Sequence, residues 1–475
     1  MTGTTAMISA NHPARVLRGN PGPLEADTRV AIVGAGACGL TAALALSRAG
    51  IDCVVLERDI TPSGSTALSS GFVPAAGTLA QARQSIRDEP ALLAQDIAGK
   101  THGTVDPVLA HAYSAAVGPA IDALEASHGL VWQVLDNFLY PGHSIHRMHA
   151  VPERSGAALM GRLGTAAEAA GVIVLTQARV TELWADASHA IHAIGYQRPD
   201  GSVERIGCQA LLLACNGFGG NPALLTELLP EMARATYAGH VGNDGSAILW
   251  GRELGAGFAD LGAYQGHGSW AIPQGALISW GLMMEGGIQV NRLGERFHDE
   301  TQGYSEAAVH VLAQPGGVAW NVFDDPILAF AQDFPDFRDA QAAGAVRHAA
   351  DAGELAALIG CPAQALARTL DAVREGTEPV TGRRFKRALS GALHAVKVTG
   401  ALFHTQGGLA IDGHCRVLDA GGRAFPNLLA AGGAARGVSG NAVWGYLSGN
   451  GLLSAIAGGH IAADTAGRLV SQRLT

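Results

Sequence analysis

The sequence predicts an α/β fold of two domains, one of which can be inserted in the other, and three observations carry that prediction. The chain has 475 residues, more than one hydrophobic core usually supports. Hydrophobic residues make up 48% and charged residues 15%, the balance of a compact chain with a large buried surface. Near its start, "RVAIVGAGACGLTAALALSRAGIDCVVLERD" runs through strand, helix and strand patterns, the sign of a parallel sheet covered by helices.

Residues 1–27 read as a polar, flexible leader without an apolar run, twin arginine or cleavage site, so a cytoplasmic protein is expected. Val30 to Val33 form a short apolar run typical of a buried parallel strand, and Gly34, Gly36 and Gly39 follow in G-x-G-x-x-G spacing. Helix formers fill 40–49, Gly50 ends that helix, and Cys53 to Leu56 read as a second strand closing at Glu57. Each residue type has a mechanical reason. Gly34 permits the turn, Gly36 lets backbone approach a pyrophosphate, Gly39 lets helix and strand pack, and the helix N-terminus offers amides to phosphates. Glu57 is placed to bind ribose hydroxyls. The pattern predicts dinucleotide binding without distinguishing FAD from NAD.

Further on, "ALMGRLGTAAEAAGVIVLTQARVTELWADASHAIHAIGYQRPDGSVERIGCQALLLAC" reads as a helix, a strand and a hairpin turning at "PDG". Helical patterning returns at 305–313 and 353–376. The 64 glycines are about twice the usual share of about 7%, which points to many tight turns and close backbone approaches. The six cysteines show no C-x-x-C pair, as expected of reduced thiols rather than a zinc site. A net charge of -9 without a basic cluster argues against nucleic acid and anionic membrane as partners. No run reaches about 18 apolar residues, so no membrane span is expected.

Two segments then decide the cofactor, "GSTALSSGFVPAAGT" and the C-terminal "LLAAGGAARGVSGNAVWGYLSGNGLL". With "ALLLACNGFGGN", "GNDGSAILWGRELGA", "GGIQVNRLGERFHDE" and "HTQGGLAID", they make residues 28–467 resemble the flavoproteins of the fumarate reductase and succinate dehydrogenase superfamily. The soluble branch with tricarballylate dehydrogenase and 3-ketosteroid Δ1-dehydrogenase is the most similar. The resemblance implies a Rossmann-like FAD-binding domain of the glutathione reductase type, at 28–240 and 396–475, with an inserted α+β capping domain at 241–395. Its implied FAD contacts begin with Gly34, Gly36, Ala37, Gly39, Glu57 and Arg58 at the ADP half. Ser65, Thr66, Ser70, Gly71, Val180, Asn216, Gly217, Asp244 and Gly433 continue them, and Ser448, Asn450, Gly451 and Leu452 cover the pyrimidine edge. Amides at the start of the last helix stabilise negative charge on a reduced flavin. The sequence departs from the family at Gly433, where an acidic residue is common, and carries no histidine at 64–72 for a covalent link, so noncovalent FAD is expected. No metal is expected.

For the reaction, the resemblance assigns His404 of "HTQGG" to a substrate carboxylate, with the Thr405 hydroxyl beside it; the alternative is a histidine that caps the turn. Fumarate reductases follow R-F-x-N-E with an arginine, whereas this chain has Gln302, Gly303 and Tyr304. Tyr304 matches in offset the tyrosine with which ketosteroid dehydrogenases abstract a proton; otherwise it is a core tyrosine. Arg436 is either an anion binder or structural. Arg296 and Glu300 are expected to form an internal ion pair, and "HRMH" at 146–149 a solvated loop. A tyrosine base suits α,β-desaturation of a small carboxylic acid or cyclic ketone, including an oxo-alicyclic carboxylate, with hydride passing to flavin N5. An enoate reductase running the opposite way and a non-catalytic flavin protein are the alternatives. The electron acceptor, whether oxygen, quinone or a carrier, stays open.

Overall fold

The computed structural model describes residues 14–136, 139–376, 381–385 and 387–472. Of the stretch assigned to a leader, residues 1–13 lie outside the described residues, whereas Arg15–Arg18 form strand β1. Strand β2 (Ala26–Val33) buries its last four residues, helix α1 (Ala37–Arg48) follows the glycine turn, and β3 (Cys53–Leu56) lies parallel to β2. The three glycines differ in what surrounds them. A methyl group on Gly34, whose φ is +105°, would lie 2.6 Å from the Ala214 carbonyl oxygen, and one on Gly39 would lie 1.9 Å from the carbonyl oxygen of Gly34. One on Gly36 would meet nothing nearer than Thr66 Oγ1 at 3.8 Å. The turn is therefore sealed on the helix side and open above Gly36.

Strands β4 (Ile173–Leu175), β5 (Arg179–Ala185), β6 (Ile191–Gln197) and β7 (Val203–Leu213) complete this part, with the hairpin turn at Asp200 and Gly201. The sheet order is β1-β5-β6-β7-β2-β3-β4. β7 serves two neighbourhoods: Val203–Gly207 pair antiparallel with β6, and Ile206–Leu213 pair parallel with β2. The expected solvated loop at 146–149 is corrected. Residues 73–74, 133–134 and 148–150 form a small sheet, and Arg147 is buried because Asp88 at 3.0 Å and Asp96 at 2.7 Å neutralise it. His149 is fully buried and bonded to Thr78 Oγ1 at 2.7 Å.

Strands β8 (Tyr264–Ala271), β9 (Ile288–Val290), β10 (Val318–Asp324) and β11 (Leu393–Thr405) form a second sheet in the order β8-β11-β10-β9. β10 is buried along its length. Its Ala319 and Phe323 join Val396 and Val398 on one face, and Val318, Trp320 and Val322 join Leu393 and Ala395 on the other. A strand covered on both faces loses the apolar-polar alternation. Helix α2 (Tyr304–Leu312) lies in this region. The pattern expected at 353–376 is two helices, Ala352–Ile359 and Ala363–Arg374, because Gly360 turns left-handed at φ +75° and Pro362 precedes the second. The expected ion pair of Arg296 and Glu300 is present and larger than expected. Buried Glu300 also receives Arg383 at 2.8 Å, and both guanidinium groups lie over the Phe385 ring at 4.9 and 4.5 Å.

The chain returns to the first sheet with β12 (Ala424–Ala430), whose Leu428–Ala430 pair in parallel with Leu211–Leu213 of β7. It ends in helix α3 (Asn450–Gln472), which packs on α1. A methyl group on Gly459 of α3 would lie 2.4 Å from the Cys38 carbonyl oxygen, so the two helix backbones meet over glycine. Contacts divide the chain into two compact units. One holds the residues up to Leu229, Gly239–Tyr264 and those from His404 onward, and the other holds Pro230–Ala238 and Gln265–Phe403. Among the described residues no helix is long and apolar enough to cross a membrane, and no cluster could hold a metal ion.

Candidate active site

In the first unit the polar groups form a long cradle. Glu57, at the end of β3, accepts the Ala35 amide at 2.9 Å and the Asp59 amide at 3.0 Å, which fixes its carboxylate beside the glycine turn. Ala37, the first residue of α1, donates its amide to Thr66 Oγ1 at 3.3 Å. Ser65 Oγ accepts from the side-chain amides of Asn216 at 3.0 Å and Asn243 at 2.8 Å. Asn216 has φ +65°, and its Oδ1 accepts the Gly217 amide at 2.8 Å. That oxygen would lie 2.1 Å from a methyl group on Gly433, so the residue departing from the family is the one that makes room for Asn216. Gly71 is equally confined, since a methyl group there would lie 2.7 Å from the Ser155 backbone, whereas Ser70 is exposed. Val180 is buried in β5. Asp244 holds Arg58 at 3.1 Å and Arg179 at 3.0 Å, and His240 pairs with Asp59 at 3.1 Å.

At the head of α3, Ser448, Asn450 and Leu452 are buried, and the Ser448 carbonyl accepts His143 Nε2 at 2.9 Å. Asn450 Oδ1 is buried and, among the described residues, has no hydrogen-bond partner. The His404 ring lies over Gly451, where a methyl group would come within 2.8 Å of both Cε1 and Nε2. Its Nδ1 lies 3.1 Å from Gln406 Nε2. Thr405 Oγ1 faces the other way and accepts the Phe218 amide at 3.3 Å. Arg436, offered by the sequence as an anion binder, is held by Asp260 at 2.8 Å and Asp106 at 3.0 Å. Two carboxylates already balance its charge, which is the structural alternative.

Sequence reasoning missed Tyr446, whose ring meets that of His404 edge-on with centroids 5.7 Å apart. Burial pushes its hydroxyl pKa up, and the amides of Gly451 and Gly449 oppose that rise. The spacing of "YLSGNG" ahead of a helix was the available signal.

In the second unit, Tyr304 is the first residue of α2, after Gly303 at φ +141°, a conformation open to glycine. The helix N-terminus favours negative charge at that end. The Tyr304 ring stacks on His267 with centroids 5.0 Å apart and planes 20° from parallel. His267 was also missed. It is buried in β8 with Trp280 and Phe403 edge-on to it, and its Nδ1 accepts the Ser269 amide at 3.1 Å, leaving the ring proton on Nε2. A histidine between two glycines in a strand, "QGHGSW", was the signal: a methyl group on Gly268 would lie 2.6 Å from Ala307 Cβ.

Among the histidines that burial lowers from the ordinary 6.5, His143, His149, His298 and His404 fall to about 4 and His267 to about 3. The folded form therefore binds fewer of these protons than the unfolded form between the lowered values and 6.5. This stabilising contribution is complete above about pH 6.5 and is lost as pH falls toward about 4. Thermal unfolding scans from pH 7.5 down to pH 4.5 should show a steep drop in Tm below about pH 6.5; a flat profile would contradict the neutral assignments.

The first sheet, the turn left open above Gly36 and the buried polar groups up to Asn450 together make the cradle of this unit. The chain belongs to the FAD binding domain family, whose model matches residues 29–452, and it is an FAD-binding oxidoreductase. It is 27% identical to "Probable fumarate reductase Ifc3" of Shewanella frigidimarina over 94% of this chain and 76% of that one. It is 26% identical to "4-oxocyclohexanecarboxylate 2-dehydrogenase" of Sinomonas cyclohexanicum over 85% of this chain and 87% of that one. Among solved structures, the open conformation of a flavocytochrome c3 fumarate reductase superposes with TM-score 0.81 at 26% identity, covering 94% of this chain and 79% of that one. For the fold alone, 3-ketosteroid Δ1-dehydrogenase of Sterolibacterium denitrificans superposes with TM-score 0.77 at 19% identity, covering 94% of this chain and all of that one. The expected resemblance, fold class and cofactor are borne out.

Proposed function

We propose that this protein is a dehydrogenase that introduces a double bond beside a carbonyl group in a small carboxylic acid or cyclic ketone, an oxo-alicyclic carboxylate above all. FAD supplies the hydride acceptor. Glu57 and Arg58 would hold its ADP half, the backbone at Gly36 and Ala37 would hold the pyrophosphate, and Ser65, Thr66, Asn216 and the α3 amides would hold the rest. Tyr304, in its ionised phenolate form, accepts the proton from the carbon next to the carbonyl, where acidity is highest, and becomes the neutral hydroxyl. The neutral His404 and the Tyr446 hydroxyl are donors to the substrate oxygen, and their hydrogen bonds strengthen as charge grows there.

The observation that carries the reading is Tyr304 itself: a hydroxyl at a helix N-terminus, its ring fixed flat on His267, where fumarate reductases have an arginine. The activity for which the Sinomonas relative is named supports the substrate class. A second reading, reduction of an enoate, is favoured by the similarity to the Shewanella relative. Rapid mixing separates the two. Oxidised holoenzyme mixed with saturated oxo-cyclohexane carboxylates and cyclic ketones should lose its flavin colour within the mixing experiment. No bleaching by these compounds, together with oxidation of reduced viologen by fumarate-like enoates, would reverse the direction.

A further inference from the structure

A row of uncharged side chains links the head of α3 to His404. Asn450 Nδ2 donates to Ser439 Oγ at 3.1 Å, Ser439 Oγ donates to Gln406 Oε1 at 3.0 Å, and Gln406 Nε2 lies 3.1 Å from His404 Nδ1. All three relay residues are buried, Asn450 completely and Gln406 to 4% exposure, so water does not compete for these groups. The row has a direction. A hydroxyl has one proton, and once Ser439 gives it to Gln406 Oε1 and accepts from Asn450, the Gln406 carboxamide is fixed with its NH2 toward the histidine. An NH2 group can only donate, so Nδ1 must present its lone pair and the single ring proton sits on Nε2. The other contact at Nδ1, the Thr405 carbonyl, is longer at 3.4 Å. Among the described residues Nε2 has no hydrogen-bond partner.

We propose that Gln406, oriented through Ser439 by Asn450, is a positioning residue that locks His404 in the Nε2–H tautomer, so that the ring can donate to an oxygen of the substrate and cannot accept from it. Only the use made of that Nε2 proton rests on the function proposed above; the tautomer does not. This gives the middle residue of "HTQGG" a task, and it also makes His404 discriminate. A carbonyl or carboxylate oxygen is accepted, whereas an ammonium at the same place would meet a second donor.

The test is nitrogen NMR of the full-length holoenzyme labelled with 15N-histidine, the His404 signals being assigned by their loss in His404→Asn. The wild-type protein should show a protonated Nε2 and a bare Nδ1 near neutral pH. In Gln406→Glu the carboxylate can only accept, and the proton should move to Nδ1. In Ser439→Ala the carboxamide loses its fixed orientation, and the single tautomer should give way to a mixture; this variant decides the matter if Gln406→Glu does not fold. A wild-type His404 protonated on Nδ1 or on both nitrogens would overturn the proposal, as would unchanged nitrogen signals in both variants. The expected tautomer in an enzyme that bleaches with no ketone or acid would instead remove the proposed function and leave the relay standing.

Discussion

Tyr304→Phe should lower the turnover of a saturated oxo-cyclohexane carboxylate by about 100- to 10,000-fold, the range that a positioned acid-base group contributes, while leaving FAD content unchanged. The substitution removes one oxygen and keeps the ring that packs on His267 with centroids 5.0 Å apart. The packing of α2 is untouched, since Ser305, Ala307, Ala308 and Val311 form its buried face. The loss should therefore appear in kcat and in the rate of flavin bleaching, with the melting temperature close to wild type. Turnover within a few-fold of wild type would show that the proton goes to another group, and the desaturase reading would lose its base.

Gly39→Ala should abolish the FAD-binding domain as a stable unit, whereas Gly36→Ala should keep the fold and lose the cofactor. A methyl group at 39 would sit 1.9 Å from the Gly34 carbonyl oxygen and 3.3 Å from Ile32 Cγ2, atoms of the strand and turn that cannot rotate away. Helix α1 would have to lift from β2, at a cost of about 3 kcal/mol or more, and α3, which packs on α1, would lose its seat. At 36 the backbone already has φ -74° and a methyl group has room, so the only thing it obstructs is a ligand. Soluble expression and bound flavin per chain, measured side by side, check both halves: insoluble Gly39→Ala, and soluble, colourless Gly36→Ala. A yellow Gly39→Ala protein would remove the close-packing argument.

The contrast between the two glycines also marks what the sequence could express. Strand, turn, helix and second strand were legible because local spacing carries the chemistry: period, glycine and acid all lie within one short stretch. His404 and Tyr304 were legible as residues of motifs. Their partners were not. His267 lies on another strand, and the relay to His404 uses Gln406, Ser439 and Asn450, whose meeting depends on where β11, the 432–449 turns and α3 come together. Arg147 read as a loop residue because its burial is made tolerable only by Asp88 and Asp96, far from it along the chain. Arg436 stayed open between anion binder and structural residue for the same reason, with Asp106 and Asp260 as its distant partners. Sequence patterns report periodicity and spacing well; charge compensation across the fold leaves no local trace.

The double pairing of β7 carries a consequence for synthesis. Leu211–Leu213 leave the ribosome with β2 already available on one side, but their other neighbour, Leu428–Ala430, is made only after the whole second sheet has been translated. At about 5–20 residues per second that delay is roughly 10–40 s. During this interval a fully apolar strand end lies unpaired on the nascent polypeptide, an edge of the kind that recruits other chains. Yield in cells should then depend less on final stability than on holdase chaperones that cover Leu211–Leu213 until the C-terminal strand arrives.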